Sequence, residues 1–321
     1  MIKPPEDSDP DALFKHAVSL HDSGSIKEAI ALYKQLLDNF PNSSEILTPF
    51  GIALLQLGSL SEGIQLLEKS LKISPNQPIA YFHIGCCFIY LKRFDAALIS
   101  CDRAIALNPD FAEVYCNRGV VLNALKRFDE ALLSYDRAIA LTPNLAEAYC
   151  NRGVVLNALK RFDEANLSHN CAIALKPDYA EAYSNRSDTF IALKQFEKAL
   201  VNCDRAIALK PNLAEAYFNR GVVLGEFKRF DEALLNYNEA IALNPDYAEA
   251  YCSRGAVLNE LKRFDEAILD YDKSIILKPD LAEAYCNRGS ALNALKRFDE
   301  SLLNELCTKV VFEGKESGGV F

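Results

Sequence analysis

Among side chains able to do chemistry, the 321-residue chain carries ten cysteines, four histidines, 35 Lys and Arg and 44 Asp and Glu. No two cysteines form a C-x-x-C pair, His16 and His21 lie near each other, and His83 and His169 stand apart. A zinc site or an activated thiol needs Cys, His and acidic groups at ligand spacing, and the sequence has no such group. It also has no glycine-rich phosphate loop and no nucleophile elbow. Binding, not catalysis, is the chemistry these residues suit. What does recur is spacing. Asn117, Asn151, Asn185, Asn219 and Asn287 fall on one 34-residue period, interrupted by Ser253, and Asn123, Asn157, Asn259 and Asn293 fall on another. An asparagine presents a donor and an acceptor together, the pair that matches a peptide backbone. Arg118, Arg152, Arg186, Arg220, Arg254 and Arg288 make a third column.

Such columns need elements repeated at the same interval. Pro41, Pro75, Pro109, Pro143, Pro177, Pro211, Pro245 and Pro279 mark it, each 34 residues after the last. The segment from Ala112 to Leu145 matches the next, Ala146 to Tyr179, at 26 of 34 places. Self-similarity at this period signals a repeat array and not two globular domains. The reading is an acidic, disordered start over 1–9, eight repeats over 10–281, a partial ninth over 282–308 and an irregular tail over 309–321.

Each repeat reads as two amphipathic helices. Tyr81, Ile84, Gly85 and Phe88 share one helical face, and Ala97, Leu98, Cys101, Ala104 and Ile105 share another. Asp110 followed by Glu113, and Asp178 followed by Glu181, predict capping boxes, a pattern repeated at Asn144, Asn212, Asp246 and Asp280. Asp129 is the expected N-cap of a second helix, with Phe128 and Leu133 closing a hydrophobic staple. The proline ends the second helix.

A net charge of -9 and a pI near 5.1 argue against a phosphate-backbone binder, so no nucleic-acid partner is expected. The Lys-Arg pairs, such as Lys126-Arg127 and Lys262-Arg263, are followed by Asp and Glu and read as solvated turns. The start has no secretory pattern, and no apolar run nears the ~20 residues that span a bilayer, so a cytoplasmic, membrane-free protein is expected. Cys116, Cys150, Cys252 and Cys286 share one repeat position, but packed helices lie ~8–10 Å apart, too far for a ladder of bridges.

Tyr115, Gly119, Leu122, Ala131, Tyr135, Ala138 and Pro143 stand at repeat positions 4, 8, 11, 20, 24, 27 and 32. In this the repeat resembles the tetratricopeptide repeat. Tyr replaces the usual Trp at position 4, Ser187 replaces Gly at position 8, and Leu47, Phe50 and Gly63 mark the diverged first repeats. The resemblance implies an all-α fold, a right-handed superhelical solenoid of antiparallel helix pairs with an extended concave groove. It further implies that positions 2, 5, 6, 9, 12 and 13 line the groove. Glu113, Cys116, Asn117, Val120, Asn123 and Ala124 fill those columns in the fourth repeat.

The implied function is a non-enzymatic scaffold that holds an extended segment of another protein, without cofactor or metal. The asparagines Asn117, Asn151, Asn185, Asn219 and Asn287, with Asn123, Asn157, Asn259 and Asn293, are its candidate peptide contacts. The column also resembles the asparagine ladder in the repeat arm of O-linked N-acetylglucosamine transferase. An alternative reading is therefore the recognition arm of a transferase of that or the SPINDLY type, its catalytic part absent from this chain. The glutamates at position 2, from Glu113 to Glu283, are assigned to capping and not to ligand selection. Because Glu and Asn fill the columns where chaperone-binding relatives carry Lys and Arg, their carboxylate clamp is not expected. The arginine column departs from the family's Leu and needs partners. Asp136, Asp204 and Asp272, each on the second helix of its arginine's own repeat, are the candidates. After Leu303 the repeat pattern stops, which suggests a truncated longer protein or an apolar face covered by a second copy of the chain.

Overall fold

The computed structural model describes residues 9–301. Residues 1–8 of the expected 1–9 start, 302–308 of the partial ninth repeat and the 309–321 tail lie outside these. Among the described residues every element is helical, and seventeen helices are complete. The first eight are α1 (Pro10–Asp22), α2 (Ile26–Asn39), α3 (Ser44–Gln56), α4 (Leu60–Ile73), α5 (Pro78–Tyr90), α6 (Phe94–Leu107), α7 (Ala112–Ala124) and α8 (Phe128–Leu141). The others are α9 (Ala146–Ala158), α10 (Phe162–Leu175), α11 (Ala180–Ala192), α12 (Phe196–Leu209), α13 (Ala214–Glu226), α14 (Phe230–Leu243), α15 (Ala248–Glu260), α16 (Phe264–Leu277) and α17 (Ala282–Ala294). They form two compact bodies, one ending at Val155 and one beginning at Leu156, within α9.

In both bodies successive helices pair, α3 with α4 and α7 with α8 in the first, α11 with α12, α13 with α14 and α15 with α16 in the second. The predicted faces are those buried: Ile84, Gly85 and Phe88 on α5, and Ala97, Cys101 and Ala104 on α6. Close approach of the pair depends on the small residue at position 8. A Cβ on Gly119 would stand 2.6 Å from the Tyr135 ring, and one on Gly221 2.7 Å from the Tyr237 ring. Ser187 breaks the glycine rule because Cys203, not a tyrosine, stands opposite it in that repeat.

The turn within each pair has a specific backbone cause. Lys126 adopts a φ of 59°, its N–H donates to the Asn123 carbonyl, and the Arg127 N–H donates to the Leu122 carbonyl. This double bond pattern is a Schellman motif, which places one residue in the left-handed region where glycine is favoured. Gly24 and Gly58 occupy that position in the first two repeats, and Lys92, Lys126, Lys160, Lys194, Lys228, Lys262 and Lys296 occupy it afterwards. The strain at an L-residue in this region is ~1–2 kcal/mol, and the greater chain entropy of unfolded glycine offsets ~0.5–1 kcal/mol of it. Lys126→Gly is therefore expected to stabilise the chain by about 0.5–1 kcal/mol, read as a raised urea midpoint. A lowered midpoint would refute this account of the turn.

Helix entry differs from the sequence expectation. α7 starts after Phe111, not Asp110, and α11, α13, α15 and α17 likewise follow Tyr179, Leu213, Tyr247 and Leu281 with no side-chain cap bond. The polar residue two places upstream of the helix faces the turn. Asp110 N–H donates to Asn108 Oδ1, and Asp246 N–H to Asn244 Oδ1. At α7, α11, α13 and α15 the glutamate at position 2 thus makes no capping box. Glu181 pairs with Lys210 at 2.6 Å and Glu249 with Lys278 at 2.7 Å. The staple also fails: α8 already begins at Phe128, and Leu133 is 69% exposed. The proline does act as expected. Thr142, before Pro143, leaves the helical region at ψ 85°, as the ring of the following proline requires.

Candidate functional site

The candidate groove columns lie on the first helices of the repeats. In the C-terminal body they converge on one recess of about 360 Å³. Val222, Gly225 and Glu226 reach it from α13, Ser253, Ala256, Asn259 and Glu260 from α15, and Glu283 and Asn287 from α17. These are positions 2, 6, 9, 12 and 13, five of the six columns expected to share a face; position 5 does not line the recess. Tyr237 and Tyr271 form its floor from the second helices.

The asparagines at position 6 reach back to the first helix of the preceding repeat. Asn117 Nδ2 donates to Cys86 Sγ at 3.2 Å, and Asn151 Nδ2 approaches Cys116 Sγ at 4.0 Å. Asn287 bonds similarly to Cys252. Asn219, only 8% exposed, donates to the Ser184 carbonyl and to Ser187 Oγ, which ties it to packing. Asn185 is half-buried and has interactions of its own. At position 12, Asn157 exchanges hydrogen bonds with Thr189 at 2.9 and 3.0 Å, Asn123 is half-buried and Asn293 is exposed. Asn259 Oδ1, by contrast, is buried without a hydrogen-bond partner among the described residues.

Four of the six arginines of the column form an ionic seam, pairing with a carboxylate of the preceding repeat and not of their own, while Arg186 bonds to the amides of Asn170 and Asn202. Arg118 Nε meets Asp102 at 2.7 Å, Arg152 meets Asp136 at 2.7 Å, Arg220 meets Asp204 at 2.9 Å and Arg288 meets Asp272 at 2.6 Å. The expected partner within the repeat is replaced by the residue at position 23, as where Arg118 donates to Ser134 Oγ at 2.8 Å. Arg254 shows both contacts: Asn238 stands in the preceding repeat, and Asp270 in its own takes two hydrogen bonds at 2.6 and 2.7 Å. A double-mutant cycle should accordingly give about 0.5–1 kcal/mol of coupling for Arg118 with Asp102, a half-exposed pair, and none for Arg118 with Asp136. Coupling to Asp136 alone would reverse this assignment.

The turn arginines are neutralised locally, as expected. Arg127, Arg161, Arg229, Arg263 and Arg297 each make a forked pair with the glutamate three residues on. Among the described residues no cysteine forms a disulfide. Burial pushes the Cys116 thiol up to about 11 and that of Cys252 up to about 12, so neither is a ready nucleophile. No cluster of His, Cys, Asp and Glu suited to a metal ion occurs among the described residues. None of their helices is long and apolar enough to cross a membrane.

Models described as tetratricopeptide repeat or TPR repeat match residues 20–84, 78–111, 100–132, 121–160, 187–226, 228–262 and 248–281. The chain belongs to the tetratricopeptide-repeat family. Solved structures agree on this fold. The APC/C hetero-tetramer Cut9-Hcn1 aligns over 88% of this chain and 55% of its own at 17% identity and a TM-score of 0.68. The present chain thus spans about half the length of that relative. A tetratricopeptide repeat protein of Parabacteroides merdae aligns over 78% of this chain and 98% of its own, at 16% identity and a TM-score of 0.62. A thermophilic TPR protein of Thermus thermophilus aligns over 56% and 98%, at 26% identity and a TM-score of 0.51. No curated protein matches the chain significantly by sequence.

Two residues lining the recess of this tetratricopeptide array are not copied between repeats. Glu226 and Glu260 stand at position 13, where the fourth, fifth, sixth and ninth repeats have Ala124, Ala158, Ala192 and Ala294. Their signal is departure from the copied residue, which a search for repetition passes over.

Proposed function

We propose that the chain is a non-enzymatic scaffold that binds an extended segment of another protein along the face built by the first helices. The observation carrying this reading is the recess of the C-terminal body, where five groove columns meet and asparagine amides line an open surface. In Asn117 the amide NH2 donates to the neighbouring repeat, which leaves the carbonyl oxygen to accept a backbone N–H from a ligand. A tetratricopeptide array without other elements among its described residues offers a surface for association and no group poised for bond chemistry. The thiols suit a reducing, cytoplasmic setting, where unpaired cysteines persist. The transferase-arm reading rests on the same asparagine column and gains no separate support.

The test is an affinity capture with the wild type beside a variant carrying Ala at Asn117, Asn151, Asn185 and Asn287. Asn219 is left intact because its bonds hold packing. With equal helical content in both proteins, the variant is expected to lose most of the proteins that the wild type recovers. Equal recovery would exclude the asparagine face as the binding surface.

A further inference from the structure

We propose that the recess between α13, α15 and α17 receives the side chain of an arginine carried by the bound segment. The inference rests on the scaffold reading and names the chemistry of its ligand. Three carboxylates, Glu226, Glu260 and Glu283, line the recess, and no Lys or Arg does. A second, independent observation comes from its floor. Tyr271 is 0% exposed and its hydroxyl has no hydrogen-bond partner among the described residues, and the same holds for Asn259 Oδ1 on the wall. Buried polar atoms of native proteins are nearly always paired, so two unpaired ones lining a single recess point to a missing ligand.

The composition of the wall departs from the copied repeat in a consistent direction. Position 13 changes from Ala to Glu only at Glu226 and Glu260 among the fourth to ninth repeats. Position 12 loses its asparagine at Gly225, and position 6 shortens to Ser253. Packing does not require that glycine, because an added Cβ would meet nothing closer than Val257 at 3.9 Å. The changes therefore widen the recess and make it negative, where unselected copying would have left Asn and Ala. Burial raises the Tyr271 phenol, with Cys252 and the Asp270, Glu283 and Glu260 carboxylates adding to the rise, so the proton stays on its oxygen.

Apart from that phenol proton, the unmet atoms and carboxylates are acceptors. A guanidinium has five donors in a planar fork and no acceptor, which matches this set better than any neutral or acidic side chain. An ammonium brings three donors as a point charge and cannot fork across two carboxylates.

A library of random dodecapeptides displayed on phage, panned on the full chain, tests this. The recovered peptides are expected to share an arginine at one position. A synthetic copy should then bind about tenfold or more weakly when citrulline replaces that arginine, and likewise to the E226Q/E260Q variant, as the loss of a charged hydrogen bond implies. Both glutamates are exposed, and unchanged helical content verifies the variant's fold. Recovered peptides without a fixed arginine, equal binding of the citrulline or lysine peptide, or unchanged binding to the variant would overturn the arginine assignment and leave the scaffold reading standing. Recovery of no peptide at all would overturn both.

Discussion

Serine in place of Gly119 is expected to destabilise the N-terminal body by about 1–3 kcal/mol, and to cost less where Tyr135 has already been replaced by cysteine. The Cβ would lie 2.6 Å from two ring atoms of a tyrosine that is 1% exposed and has no room to swing aside. The better helix propensity of serine returns only a few tenths of a kcal/mol. Tyr135→Cys alone removes a buried ring and should cost ~3–5 kcal/mol. The double variant recreates the pair found in the sixth repeat, where Ser187 Oγ donates to the Ser184 carbonyl at 2.6 Å and also bonds to Cys203. Its loss should fall short of the sum of the single losses by about 1–2 kcal/mol in urea denaturation. Strict additivity would mean that positions 8 and 24 do not constrain each other.

The second large effect is a pH dependence centred on His169. The side chain is fully buried, and neither ring nitrogen has a hydrogen-bond partner among the described residues. Burial, with the Arg186 guanidinium adding to it, pushes the imidazole from its ordinary 6.5 down to about 4. The unfolded chain therefore binds a proton below 6.5 that the folded chain refuses until about 4. Its contribution is intact above 6.5, declines as pH falls, and is lost once pH passes about 4. The full loss is about 3 kcal/mol. Denaturation at pH 7.5 and pH 5 should show a substantial part of it in the C-terminal body. His169→Tyr installs the residue of the same column in the fourth, seventh and eighth repeats, Tyr135, Tyr237 and Tyr271, and should flatten that dependence. An unchanged pH profile in this variant would locate the sensitivity elsewhere.

These residues show where sequence reasoning reaches and where it stops. The prolines and the apolar spacing of Ile84, Gly85 and Phe88 were enough to place the helices, because both are local consequences of backbone chemistry. Cap positions were not legible: the capping pattern selects Asp110, and only the turn geometry moves the helix start past Phe111. Partner choice was not legible either. Arg118 is 16 residues from Asp102 and 18 from Asp136, and separations that similar do not distinguish the neighbouring repeat from its own. The left-handed lysines hide because lysine carries no turn signal, although Gly24 and Gly58 at the same position supplied one. The asparagine columns were visible as columns. Their division into packing residues such as Asn219 and lining residues such as Asn287 needed the helices in place.

The ionic seam has a consequence for how the array changes length. Each repeat that takes part accepts a carboxylate from the repeat before it through position 7 and offers one to the repeat after it through position 25, so its two ends are complementary. An in-frame loss of residues 214–247 would present Asp204 to Arg254, which now meets Asn238 there, and the new junction would carry a carboxylate where the old one carries an amide. Loss or gain of a whole repeat can therefore re-form an ionic joint where the preceding repeat ends on an aspartate such as Asp204, and an amide joint where it ends on Asn170 or Asn238. The same rule gives the array a fixed direction, because a repeat inserted in reverse would bring neither group to its counterpart.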